Sequence, residues 1–136
     1  MKAPVLTKCV LGVILVFVCS MAMNAVSPKD YMYDTKEENG KIVSKTVFIN
    51  ESGLLNKQVK YEFTYNEEGK VAEKKACRWN KTSNNWEPFF LISYEYDNET
   101  GEIHTVYGMW DKKKKDYSLN IQEMVLPVSS YESIFS

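Results

Sequence analysis

The single histidine, His104, limits the acid–base chemistry open to this chain. Zinc sites built from several histidines are excluded, and proton transfer falls to carboxylates. No Gly-x-Ser-x-Gly elbow surrounds a serine that could join His104 in a hydrolase triad. Within alternating sequence His104 reads as a half-exposed sheet residue. Glu62, Glu73, Glu95 and Glu102 fall on expected strands, where two carboxylates facing one cleft would suffice for glycoside hydrolysis. A chain with 18 acids offers such pairs by composition alone. Asp97, Asn98, Glu99 and Glu102 gather oxygen ligands at one turn, but their spacing fits no calcium loop, and neither metal nor other cofactor is expected. Cys77, near Trp79, reads as a small buried apolar residue rather than a nucleophile.

Chemistry of recognition is better represented. Trp79 and Trp86 flank one expected hairpin, and Trp110 and Tyr117 flank the next but one. Aromatic rings on a sheet face bury large areas while tolerating polar edges, so these four residues are the candidate ligand-binding set. Core packing competes for at least two of the tryptophans. Lys112 to Lys115 occupy the tip between Trp110 and Tyr117, a solvated turn that could also touch anionic lipid or polysaccharide. Asn50, Asn80 and Asn98 head N-x-S/T triplets, all at expected turns, where Asn, Ser and Thr are ordinary turn formers.

These residues must be positioned by a small protein. The chain has 136 residues, and its start carries Lys2 and Lys8, then an apolar run from Val10 to Val18, then small residues, the pattern of a secretory signal. Residues 1–22 are expected to be a cleavable signal, cut after Ala22, with Ala25 as second choice. The run is far shorter than the roughly 20 residues a spanning helix needs, so no transmembrane segment is expected in the mature chain. Val18 before Cys19 is too bulky for a lipoprotein box. Cleavage removes two of the three cysteines and leaves residues 23–136 as one domain without an internal disulfide. It also lowers the 17 cations to fifteen against 18 acids, a balance that disfavours a nucleic-acid partner.

The mature part carries nine Tyr, five Phe and three Trp, in alternating runs broken by Gly, Asn or Asp. Period two is plainest at Lys57 to Asn66, where Val59, Tyr61, Phe63 and Tyr65 share one face. Lys70 to Asn80 carries Val71, Cys77 and Trp79 on one side and, being rich in Lys and Glu, is expected near a sheet edge. Trp86, Phe90, Ile92, Tyr94 and Tyr96 are expected on one face of the most buried strand. Pieces at 31–34, 41–50, 102–111 and 116–125 complete an all-β, antiparallel meander of about seven strands made of consecutive hairpins, with a short irregular tail from about residue 127. No helical stripe is evident. Phe63, Tyr65, Asn66, Gly69 and Val71 recur as Tyr94, Tyr96, Asp97, Gly101 and Ile103, which indicates an internal repeat of about 31 residues. Each member has a structural use: the aromatics fill one face, Asn or Asp caps a turn, and Gly reverses the chain.

Across Tyr31 to Val125 this motif resembles small exported Bacteroidetes proteins of unknown function, built from aromatic-x-Tyr-Asn/Asp…Gly β-hairpin repeats. It is loosely similar to the tyrosine and aspartate repeats of large bacterial surface proteins and toxins. The resemblance implies an antiparallel meander outside the cytoplasm and lends no catalytic residue. The expectation is an exported, noncatalytic binding or surface-structural module in the periplasm, at the outer surface or secreted. Its partner is expected to be a glycan or cell-surface protein, met by Trp79, Trp86, Trp110 and Tyr117. The alternatives are an inhibitor or immunity-type protein and a carboxylate-dependent hydrolase.

Overall fold

A computed structural model of the chain describes residues 30–136; the expected leader, its cleavage site, Cys9 and Cys19 lie outside the described residues. Seven strands follow in chain order: β1 (Asp30–Glu38), β2 (Lys41–Glu51), β3 (Leu54–Tyr65), β4 (Val71–Asn80), β5 (Asn85–Asp97), β6 (Glu102–Asp111) and β7 (Asp116–Pro127). Every strand neighbours the next in sequence, so the sheet is an antiparallel meander. Alternation of aromatic and polar residues drives this: one face of each strand gains area by burial while the other stays solvated.

Short side chains end the strands. Asn66 Oδ1 accepts the amides of Glu68 and Lys70, both at 3.0 Å, and Asp97 Oδ1 accepts those of Glu99 and Thr100 at 2.9 and 3.1 Å. These two bonds, Thr100 first, hold the Asp97 carboxyl below the usual range. Gly69, at φ +79°, closes the first of these turns in a left-handed conformation that a side chain would strain.

The register shifts at four strand pairs, and two of these bulges, on β4 and β5, decide which side chains share a face there. Tyr65 pairs with Val71 but Thr64 with Glu73, which leaves Ala72 as the extra residue of β4. Val71 is thereby turned to the face opposite Cys77 and Trp79, although all three carry odd numbers. On β5, Ala76 pairs with Phe90 but Cys77 with Pro88, so Phe89 is the extra residue. Trp86 therefore leaves the face of Phe90, Ile92, Tyr94 and Tyr96, contrary to plain alternation. The charged β4 is not an edge strand either; it lies fourth of seven, and Val71 and Ala76 are both 0% exposed. It is more thoroughly buried than β5, because Lys74 is drawn inward too.

The expected irregular tail is instead a 3₁₀ helix, Val128–Phe135, which lies as a strap over one face of the sheet. A segment of eight residues shows no clear helical period in sequence, yet Tyr131, Ile134 and Phe135 are its apolar side. Ile134 is 3% exposed and joins Phe63, Val71, Tyr94 and Ile103 in the core. Phe135 packs on Phe63 with ring centroids 5.2 Å apart, and Tyr131 on Tyr96 at 6.0 Å. The ladder is interrupted beside Val71, and tyrosines take up its backbone groups. Val71 N–H donates to Tyr131 Oη at 3.1 Å, and Tyr96 Oη–H donates to Val71 O at 2.6 Å.

Lysines clamp the strap's far end. Lys74 Nζ donates to Ile134 O and Ser136 O at 2.7 and 2.9 Å, and Lys45 Nζ donates to Phe135 O at 3.0 Å. Cations at the carbonyl end of a helix complement its dipole. Burial, then repulsion from Lys45, lowers the Lys74 pKa to about 8. The Lys74 ammonium also stands 4.4 Å from the Tyr61 ring centroid, a cation–π contact that offsets part of its desolvation.

Ile134→Ala should destabilise the protein by about 2–5 kcal/mol, the usual cost of truncating a buried aliphatic side chain, measured by urea denaturation. Lys74 gives a pH signature. Its folded pKa of about 8 lies below its ordinary 10.5, so the unfolded chain holds the proton longer. Stability should rise through that window, by on the order of 2 kcal/mol at most, and the rise should vanish in Lys74→Met. Tyr94, pushed up to about 12 by burial, and Tyr96, raised further by burial and by Tyr131, act oppositely. Their contribution is complete below the ordinary tyrosine value of 10 and declines above it, which brings the profile down again at higher pH.

Candidate functional site

On the face away from the strap, Cys77 and Trp79 alternate along β4, and Leu91 on β5 stands opposite Lys75 and Gly108. Trp110 follows Gly108 by two residues and shares this outer face. Trp86 pairs with Trp79 and Tyr117 with Trp110, so the structure brings all four candidate residues to one face at the same end of the meander. The Trp79 and Trp86 centroids lie 5.1 Å apart at 69°, and those of Trp110 and Tyr117 5.1 Å apart at 68°. Edge-to-face pairs of this kind contribute roughly 0.5–1.5 kcal/mol beyond their buried area. All four side chains remain partly exposed, outside the strap-side core.

Turns hold the pairs in place. Asn80 Oδ1 accepts the amides of Thr82 and Ser83 at 2.9 and 3.1 Å, while its amide nitrogen donates to Glu87 at 2.8 Å. Asp111 Oδ1 likewise accepts those of Lys113 and Lys114 at 2.9 and 3.2 Å, leaving Lys112 to Lys115 exposed at the tip. Lysines of β3 reach the rings: Lys57 Nζ is 4.1 Å from the Trp79 centroid and Lys60 Nζ 5.5 Å from that of Trp86.

Beneath the aromatic pairs Cys77, Leu91 and Gly108 are buried. Burial, then Glu62, raises the Cys77 thiol pKa despite Lys60 and Lys75, so it is protonated and inert. Tyr117 is also raised, by burial first and then by Cys77 and Glu62. Gly108 is a residue that sequence reasoning missed. A Cβ there would lie 2.8 Å from the Ser118 backbone oxygen and 3.0 Å from Leu119 Cδ2, so β7 can approach only a glycine. Its signal was a glycine inside an otherwise continuous strand pattern.

Of the remaining candidates, Asp97 stands opposite Glu102, and Glu95, Asp97, Glu99 and His104 line one open depression. His104 is exposed, 3.5 Å from Glu102 and opposite Glu95, while Glu62 stands opposite Lys75 and Glu73 opposite Ser93. Among the described residues no group of three or more His, Cys, Asp or Glu side chains could hold a metal. None of the helices among them is long and apolar enough to cross a membrane. The strap face carries a second aromatic row that register alone reveals. Tyr61 and Phe90 meet across Ala76 with centroids 6.5 Å apart, and Phe90 meets Tyr107 at 5.4 Å. The depression beside it, under Tyr94, Tyr107 and Met124, holds about 110 Å³. Larger depressions lie elsewhere on the sheet, one of about 320 Å³ between Glu95, His104, Glu123 and Val125 and one of about 470 Å³ between Tyr31, Tyr33, Lys45 and Tyr61.

Folds similar to this meander occur in Bacteroidetes proteins of unknown function. The chain belongs to the family of unknown function DUF3836, whose profile matches residues 1–128. It is similar to the crystal structure of a DUF3836 family protein from Parabacteroides distasonis, with 66% identity and a TM-score of 0.76 over 80% of this chain and 100% of that one. A DUF3836 family protein from Bacteroides vulgatus is 32% identical, with a TM-score of 0.66 over 71% of this chain and 97% of that one. A protein with unknown function from Bacteroides fragilis shares the fold at 24% identity and a TM-score of 0.61, over 67% of this chain and 66% of that one. No curated protein matches the chain.

Gly108→Ala should cost about 1–3 kcal/mol, as overpacking does, and should disturb the Trp110–Tyr117 pair. A lower melting temperature with altered near-UV circular dichroism would establish this; unchanged values would refute the close approach.

Proposed function

We propose that this protein is an exported, noncatalytic binding module that engages a glycan through Trp79, Trp86, Trp110 and Tyr117. The observation that carries the reading is the pair of edge-to-face contacts, each at 5.1 Å, presented partly exposed on one face by adjacent-end hairpins. Stacking on sugar rings needs rigid aromatic planes, and the capped turns supply the rigidity. Export rests on the leader pattern of residues 1–22, and the noncatalytic reading on the buried, protonated Cys77, which offers no nucleophile. The hairpin repeat is the means by which the aromatic pair is presented twice.

A second reading has its own observation. Leu119, Met124 and Val125 of the last strand, β7, are about half exposed, and an exposed strand can add to a partner's sheet. That geometry would suit an inhibitor or immunity-type protein. On a glycan array the protein should bind, and Trp86→Ala or Trp110→Ala should weaken binding about tenfold, as loss of an interface hot spot does. Recovery of a stoichiometric protein partner with no glycan bound would transfer the function to the β7 edge.

A further inference from the structure

In a meander, successive turns fall alternately at opposite ends, and here the two ends differ in charge. The aromatic end holds the start of β1 and the β2–β3, β4–β5 and β6–β7 turns, with Lys81 and Lys112 to Lys115 against Asp30, Glu51, Asp111 and Asp116. The opposite end holds seven acids, at 37–38, 67–68, 97, 99 and 102, against Lys41 and Lys70. A nearly neutral protein of net charge −1 is thus positive where its exposed aromatic pairs lie.

The acids of the turns at this end accept hydrogen bonds from neutral amides, and Glu62 and Glu73 add negative charge near Tyr117. Asp111 accepts the Lys113 and Lys114 amides, Asp116 accepts the Tyr117 amide at 2.8 Å, and Glu51 accepts the Asn56 side-chain amide at 3.0 Å. Among the described residues, Lys57, Lys75, Lys81 and Lys112 to Lys115 form no ion pair, and Lys60 meets Glu62 only at 3.9 Å. Lys57 and Lys60 rest on the tryptophan rings, which places ammonium groups and aromatic planes in one surface. Uncompensated cations beside aromatic planes complement a ligand with both sugar rings and fixed negative charge.

We infer that the ligand of this face is an anionic polysaccharide bearing carboxylate or sulfate groups, its rings on Trp79, Trp86 and Trp110 and its charges on Lys57, Lys60 and the Lys112–Lys115 tip. The inference rests on the reading of the aromatic face as the binding surface. An apolar protein partner would leave these lysines unpaired, and a membrane would offer no ring for the tryptophans to stack on.

The test is affinity electrophoresis of the full chain with polygalacturonate, neutral hydroxyethylcellulose, or phosphatidylglycerol vesicles in the gel. Polygalacturonate should retard the protein at about 20 mM salt and at least tenfold less at about 500 mM, where charge is screened. Converting Lys112 to Lys115 together to Gln should weaken retardation by about tenfold, and Lys57→Gln with Lys60→Gln similarly, with circular dichroism unchanged since these side chains lie outside the core. Equal, salt-insensitive retardation by the neutral polymer would overturn the anionic ligand but leave the glycan reading standing. Polygalacturonate binding indifferent to Trp79→Ala and Trp110→Ala would show attraction by charge alone and overturn both. Retardation by the vesicles in its place, or by none of the three, would also overturn both.

Discussion

A single sheet has two faces and, by itself, nothing to bury either against. That constraint governs this molecule. Its solution is an eight-residue 3₁₀ strap that covers the Phe63, Val71, Tyr94 and Ile103 side with Tyr131, Ile134 and Phe135. So short a segment has little intrinsic helical stability. It is held from outside: aromatic stacking anchors its middle, and Lys45 and Lys74 bind its terminal carbonyls. The desolvated Lys74 is tolerated because the strap supplies two carbonyl acceptors and β3 an aromatic ring, so removal of either partner leaves the other exposed to its cost.

Bulges assign the rest. Ala72 sends Val71 into the strapped core while leaving Cys77 and Trp79 on the outer face, and Phe89 does the equivalent for Phe90 and Trp86. One extra residue in each strand thus divides a continuous run of apolar residues between a core and a recognition surface. Without them the tryptophans of β4 and β5 would not meet on the outer face, and the strap would lose Val71.

The meander and most of its strand limits were legible in the sequence, because strand alternation and turn residues are local signals; β1, expected at 31–34, runs from Asp30 to Glu38, and β3 begins at Leu54 rather than Lys57. Glu102–Asp111 matches its expected bounds in full. Face assignment was legible only where strands are regular, as from Val59 to Tyr65 on β3, and failed at Val71 and Trp86 because a bulge shifts parity without altering composition. β4 was misplaced toward an edge because Lys74 looks solvent-bound until its acceptors, sixty residues away, are known. The strap was illegible for the same reason: its partners are remote, and one turn or two of 3₁₀ helix carries too few residues to show a period.

The strap also orders the protein in time. Every strand pairing joins neighbours in sequence, so the hairpins can form one after another as the chain is made or threaded. The strap alone closes distant contacts, spanning 60 residues to Lys74 and 90 to Lys45. Until residues 131–135 are free, the aromatic underside of the sheet has no cover, and the chain stays an incomplete, easily unravelled ribbon.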